Sequence, residues 1–130
     1  MALRSAYSAT LNGGPKVLLW GDAAGMRALG DFLRNMLVVP RAMTLAEFCE
    51  AVDGKIITVR MRANRRDTGM RLNHEGLEWT LRPQSADEFA ALVEGLAVSG
   101  KPGHQYLTCG VTDEITVMVS HGEYAENLRP

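Results

Sequence analysis

Residues 16–37 read KVLLWGDAAGMRALGDFLRNML, and this stretch joins a short apolar segment to an apolar pattern of longer period. The segment from Lys16 to Trp20 is typical of a β-strand, and Asp22 is typical of a helix N-cap. After Asp22, apolar residues recur at the three- and four-residue spacing of one helix face. A strand followed directly by an amphipathic helix predicts a domain that packs helices against a sheet. The apolar residues of the predicted helix face are Met26, Leu29, Leu33, Met36 and Leu37.

Two capping boxes predict two more helices further along the chain. Thr44 and Glu47 stand three residues apart, as do Ser85 and Glu88. In each pair the hydroxyl can accept a hydrogen bond from the backbone amide of the glutamate, and the carboxylate can accept one from the backbone amide of the threonine or serine. An amphipathic apolar stripe follows each box, so a helix is predicted after both.

Strands are predicted where apolar and polar residues alternate. In the clearest case Ile57, Val59 and Met61 fall on one face of a strand, while Arg60 and Arg62 fall on the other. Short connections favour antiparallel neighbours, and one-sided alternation leaves the second sheet face to solvent or to a partner. The predicted fold class is α+β, a mostly antiparallel sheet with helices packed on one face, in the order β-β-α-α-β-β-β-α-β-β.

The length and composition predict one globular domain, residues 1–130, with 46% hydrophobic and 22% charged residues. No apolar run approaches the roughly 20 residues that cross a bilayer, so no membrane association is expected. The start, MALRSAYSAT, lacks the pattern of a secretory signal, which favours a cytoplasmic location. Cys49 and Cys109 lie in apolar patterns and are expected to be reduced core thiols.

The glycines around Asp22 suggest a phosphate-binding loop, but the spacing argues against one. A dinucleotide fingerprint needs G-x-G-x-x-G and a P-loop needs G-x-x-x-x-G-K-[ST], and neither pattern occurs here. Asp22 also places negative charge where a phosphate would bind. At an offset of 63 residues, the start of this helix aligns with the helix that follows Ser85, which favours a structural unit over a cofactor site.

No cofactor or metal site is predicted. Cys109 lies near His104 and His121 in sequence, which is the composition of a thiolate–imidazole pair. However, His104 and Cys109 have opposite parity on the predicted strand and should face opposite sides. The three histidines form no pattern that brings ligands to one metal ion, and the sequence identifies no catalytic residue.

Positively charged residues, mostly arginine, are concentrated in one part of the sequence. The seventeen residues from Lys55 to Arg71 hold six of the fourteen lysines and arginines, opposed only by Asp67. Such a surface suits an acidic protein partner, because arginine binds carboxylates with two parallel hydrogen bonds. It also suits nucleic acid, although the aromatic residues that stack on bases are missing from this stretch. A solvated strand face remains a third interpretation. The predicted partner-binding residues are Arg60, Arg62, Arg65, Arg66 and Arg71.

Parts of the chain resemble the small α+β immunity proteins of bacterial polymorphic-toxin systems. The resemblance is carried by Gly21-Asp22, Gly25-Met26 and Leu29, then by residues 104–107 (HQYL) and 119–124 (VSHGEY). It implies a non-catalytic protein that binds and neutralises a cognate toxin. The alternative is a nucleic-acid-binding module that uses the basic stretch, and a small enzyme is the third hypothesis.

Overall fold

The computed structural model describes residues 2–10, 14–63, 68–111 and 113–122. Within these residues the chain forms two α-helices, α1 (Ala23–Val38) and α2 (Pro83–Ser99), and a short 3₁₀ helix (Leu45–Glu47). The α+β class is confirmed. The nine strands are β1 (Leu3–Ser8), β2 (Lys16–Gly21), β3 (Met43–Thr44), β4 (Cys49–Ala51), β5 (Ile57–Met61), β6 (Gly69–Asn73), β7 (Gly76–Leu81), β8 (Gly103–Tyr106) and β9 (Thr116–His121).

The strands form two mixed sheets instead of the single, mostly antiparallel sheet that was expected. Sheet A has the order β4-β1-β2-β9-β8, and sheet B has the order β3-β5-β7-β6. Strands that lie close together in sequence are antiparallel, as in β1–β2 and β6–β7. The parallel pairs β2–β9 and β5–β7 bring together strands far apart in sequence, which local turn signals do not reveal.

The prediction of a helix after Thr44 is wrong. The chain forms one 3₁₀ turn and then β4, whose Cys49 lies beside Leu3 of β1 in a parallel pair. The Thr44 side chain makes no capping hydrogen bond. An isolated helix this short is marginal, because nucleation costs more than a few hydrogen bonds return. Pairing with β1 satisfies the backbone groups of Cys49–Ala51, and Cys49 is buried there.

The two halves of the chain repeat the same arrangement at a spacing of 60 residues. The helix α1 begins at Ala23 and α2 at Pro83, and β2 and β7 begin at Lys16 and Gly76. The strand order β1-β2-β9-β8 in sheet A matches β6-β7-β5-β3 in sheet B, so each half contributes strands to both sheets. The sequence alignment of the two helix starts used an offset of 63 residues, three more than the structure shows. One helix turn takes 3.6 residues, so a shift of three residues brings apolar positions back to nearly the same helix face.

The two helices pack against each other around a charged contact between equivalent positions. Arg34 of α1 donates from Nε and Nη2 to the Glu94 carboxylate of α2, each at 2.8 Å, and from Nη1 to Asp87 at 2.7 Å. The hydrogen bonds from Arg34 lower the pKa of Glu94. Those to Glu94 and Asp87 raise the pKa of Arg34. Gly30 allows this approach, because a Cβ there would lie 3.0 Å from Cγ of Glu94.

One hydrophobic core joins the helices to the inner faces of both sheets. Phe89 of α2 is 4% exposed and stacks on the fully buried Trp79 of β7, with ring centroids 6.0 Å apart. A second cluster lies on the opposite face of sheet A, where the exposed fractions are 3% for Leu18, 4% for Trp20 and 6% for Met118. The strand β2 is thus buried on both faces. An unbroken apolar run such as VLLW is typical of such a strand.

Candidate functional site

The predicted alternation of the arginine-bearing strand is confirmed. In β5 the side chains of Ile57, Val59 and Met61 are buried, whereas Thr58 and Arg60 are only half-buried. Core packing on one side therefore fixes the strand, and Arg60 projects from the other side of sheet B. A side chain held on a packed strand is better placed for recognition than one on a loop.

Neighbouring strands bring further charges to the same face. Arg71 of β6 lies directly opposite Glu78 of β7 in the antiparallel register, so both side chains share one side of the sheet. Arg60 donates from Nε to Oε2 of Glu78 at 2.8 Å, with both side chains a little over one-third exposed. We use the name arginine face for Arg60, Arg62, Arg71 and Glu78.

Arg62 extends the arginine face just beyond the end of β5. Its backbone amide donates to the Leu81 carbonyl at 2.8 Å, which keeps the chain attached to β7. Its exposed side chain donates from Nη1 to the Met61 carbonyl at 3.3 Å. The guanidinium therefore keeps other donors for a partner, since arginine carries five N–H groups.

The structure places three of the five predicted binding residues. Arg60, Arg62 and Arg71 lie together on sheet B, while Arg65 and Arg66 lie outside the described residues. Arg71 also donates from Nη2 to the Thr68 carbonyl at 3.2 Å. Sequence reasoning missed Glu78 as the partner of Arg60, because a parallel pairing between β5 and β7 joins them.

The glycines beside Asp22 serve packing. Asp22 caps α1, because its Oδ1 accepts a hydrogen bond from the Gly25 amide at 2.9 Å. A Cβ added at Gly21 or at Gly25 would overlap the carbonyl oxygen of Ala2. Both glycines are therefore required by the close approach of the chain that leads into β1. The helix start that resembled a phosphate loop is occupied by the protein itself.

Both cysteines are free thiols whose surroundings favour the protonated form. Burial raises the pKa of Cys49 to about 11, opposed by a hydrogen bond with the Ser5 hydroxyl. Burial also raises the pKa of Cys109, and the nearby Glu114 carboxylate adds to this effect. A nucleophilic cysteine needs a lowered pKa, so neither environment suits catalysis.

Glu114 organises the loop between β8 and β9. Its carboxylate accepts hydrogen bonds from the amides of Cys109 at 3.0 Å, Gly110 at 2.6 Å and Val111 at 3.1 Å. Three amides directed at one carboxylate form a compact internal anion site. The Glu114 carboxylate therefore stabilises the backbone of residues 109–111.

A surface cavity of about 510 Å³ lies where β4, at the edge of sheet A, approaches the start of β5 in sheet B. Its walls come from the 3₁₀ helix, from β4, from Gly54 and from Ile56 and Ile57, with Ser5 beneath. Its volume falls within the range of roughly 300–1,000 Å³ that is typical of binding sites. No feature of the sequence predicted this cavity.

The described residues provide no metal-binding group of three or more histidine, cysteine, aspartate or glutamate side chains. His121 contacts the Lys101 carbonyl at 3.0 Å, and His104 makes an edge contact with the Tyr106 ring. Across the same described ranges, no helix combines the length and apolar composition that a membrane span requires.

Comparison with known proteins gives no family assignment. No protein-family model matches the chain, and no curated protein matches it.

Proposed function

We propose that the protein is a non-catalytic binding protein whose arginine face holds an acidic surface of a protein partner. The immunity-protein resemblance makes a cognate bacterial toxin the partner class. The observation that carries the proposal is the placement of Arg60, Arg62 and Arg71 on one face of sheet B, where Arg60 pairs with Glu78.

The physical support is preorganisation. The buried side chains of Ile57, Val59 and Met61 fix the strand that carries Arg60. The hydrogen bond to Glu78 then orients the Arg60 guanidinium. Arginines held in this way lose little side-chain entropy on binding, and their planar forks match carboxylates in geometry. The partner surface is expected to offer carboxylates that share these arginines with Glu78.

Nucleic acid is the alternative ligand for the same charges. Single-stranded nucleic acid is held by aromatic side chains that stack on bases as well as by cations. The described residues on this side of sheet B come from β3, β5, β6 and β7 and include no outward-facing aromatic side chain. This composition favours a protein partner, for which charge complementarity is sufficient alongside apolar contacts.

Affinity capture from the native host tests the proposal, with nuclease-treated and untreated extracts compared. The chain is compared with a double variant, Arg60→Gln with Arg62→Glu, which lowers the charge of the arginine face. Arg27→Glu is the matched control, because Arg27 is an exposed arginine on α1. We expect one protein partner to be captured after nuclease treatment, lost with the double variant and retained with the control.

Two results would contradict the proposal. Capture that disappears on nuclease treatment and falls steeply with salt would identify nucleic acid as the ligand. Undiminished capture by the folded double variant would show that the arginine face is a solvated surface.

A further inference from the structure

The cavity beside β5 borders the arginine face. Ile56 lines the cavity, and its carbonyl accepts a hydrogen bond from the Leu77 amide at 3.1 Å, so the ladder with β7 begins before β5 itself. Side chains two residues apart in a strand point to the same side. Ile56, which is 45% exposed, therefore lies on the same side of the strand as Thr58 and Arg60. The distance from Ile56 to Arg60 along the strand is about 13 Å.

The lining of the cavity suits an uncharged apolar group. Leu45, Ile56 and Ile57 contribute aliphatic surface. The Cys49 thiol stays neutral because burial raises its pKa to about 11. The one carboxylate in the lining, Glu50, already pairs with Arg4 at 3.3 Å. A charged group entering this cavity would lose water and gain no ionic partner.

The two halves of the chain hold the loops before β5 and β9 with different carboxylates. In the second half, the Glu114 carboxylate fills the loop before β9 by accepting three backbone hydrogen bonds. In the first half, the Asp53 carboxylate accepts hydrogen bonds from the Tyr7 amide at 2.7 Å and the Lys55 amide at 3.0 Å. Gly54, with a φ of +77°, brings no side chain to the cavity wall. The cavity also lies beside β4, which has no counterpart among the described strands of the second half.

We infer that this cavity receives an aliphatic side chain of the same acidic protein partner that the arginine face binds, an inference that rests on the proposed function. Continuity supports it, because Ile56 lines the cavity and directly precedes the strand that carries Arg60. The apolar lining also supports it, because the cavity adds an apolar contact beside the charged arginine face. Buried anchors of this kind usually provide much of the affinity of a protein interface.

A small-molecule ligand is the competing occupant. Ala46, Glu50, Gly54 and Ile56 are all exposed as well as part of the lining, so the cavity has a wide mouth. Ligand pockets commonly bury 70–90% of a small molecule. A wide mouth suits a side chain that remains attached to a partner surface, because that surface covers the opening.

Two synthetic peptides test the inference by nuclear magnetic resonance on the isotope-labelled full chain. The first has an N-acetylated leucine, two glycines and then three acidic residues, which spaces the leucine from the carboxylates by about the distance from Ile56 to Arg60. The second has alanine in place of leucine. We expect both peptides to shift the amide signals of Arg60 and Arg62. Only the leucine peptide should also shift those of Ala46, Ala51 and Ile56.

The leucine peptide should bind about tenfold more tightly than the alanine peptide, the gain expected from burying one aliphatic side chain. Ala46→Trp should remove this gain, because Ala46 is an exposed residue at the cavity mouth. Ala91→Trp is the matched control on the exposed face of α2 and should keep the gain.

The outcomes separate the two proposals. Shifts at Arg60 and Arg62 with equal affinity for both peptides would overturn the cavity inference and leave the proposed function standing. An absence of shifts at the arginine face would overturn both. Binding of the neutral dye Nile red that Ala46→Trp abolishes, without any preference for the leucine peptide, would identify a small-molecule pocket and also overturn the inference.

Discussion

At the scale of single residues, the glycines of the helix start show how one sequence feature can suggest the wrong chemistry. Gly21 and Gly25 flank a helix N-cap, as phosphate-loop glycines do. Here, however, they make room for the Ala2 carbonyl. The spacing of the glycines and the charge of Asp22 argue against a phosphate loop, and the surrounding atoms show what the glycines do instead.

Gly25→Ala should destabilise the protein by about 1–3 kcal/mol, because the added methyl group must displace backbone atoms of Ala2. Gly95→Ala is the matched control, since a Cβ there meets no atom within 4 Å. In the control, better helix propensity should stabilise the protein by up to about 1 kcal/mol. Denaturant unfolding measures both changes. Equal effects of the two substitutions would contradict the packing role of Gly25.

Cys49 is expected to couple stability to alkaline pH. Its pKa is raised from 9.0 to about 11 in the folded protein, so the unfolded chain loses the thiol proton first as pH rises. The free energy of unfolding contributed by this group is fully present below pH 9.0 and is lost as pH rises toward about 11. At about pH 10.5 the loss should be about 2 kcal/mol.

Denaturant unfolding at about pH 8 and about pH 10.5 checks this expectation. Cys49→Ala should lose less stability between the two values than the unmodified protein, because alanine has no proton to release. All other ionisable groups are the same in both proteins, so their contributions cancel in the comparison. The same alkaline loss in both proteins would contradict the assigned pKa of Cys49.

At the scale of elements, α2 has the buried face that the sequence predicts, with Phe89 stacked on Trp79. Phe89→Ala should therefore destabilise the protein by about 3–5 kcal/mol, because the ring leaves a cavity between helix and sheet. Leu92→Ala is the matched control on the same helix, where Leu92 is 36% exposed. Thermal and denaturant unfolding measure both variants. A loss below about 1 kcal/mol at Phe89 would contradict the helix face.

The segment after Thr44 shows where local signals lose to pairing between elements. Its capping-box pattern predicts a helix, but the residues form a 3₁₀ turn and then β4. A capping box supplies at most a few hydrogen bonds, whereas pairing with β1 satisfies the backbone of Cys49–Ala51 and buries Cys49. The presence of β1 as a pairing partner therefore favours a strand over a helix in this segment.

At the scale of the whole molecule, binding and folding should be separable on sheet B. Arg60→Gln with Arg62→Glu should change the free energy of unfolding by less than about 1 kcal/mol, because exposed ion pairs contribute little. Ile57→Ala alters the opposite side of the same strand, where Ile57 is 2% exposed, and should cost about 2–5 kcal/mol. Denaturant unfolding of both variants checks the contrast. A double variant as unstable as Ile57→Ala would show that the arginine face supports the fold.

The sequence by itself determined the features that depend on neighbouring residues. The periods of α1, α2 and β5 and the cap at Asp22 follow from side chains a few positions apart, and the structure has them. The α+β class follows from these elements together. The alternation of β5 also places Arg60 on the side of sheet B away from the core, whereas Arg71 reaches that side through the pairing of β6 with β7.

Only the tertiary structure decided how the elements combine. The exchange of strands between two sheets, the contact between Arg60 and Glu78 and the cavity beside Ile56 all join residues that are distant along the chain. Local propensity specifies whether a segment can be a strand, but the burial of its two faces selects the strand beside it. That selection depends on the whole core, so it emerges only when both halves of the chain pack together.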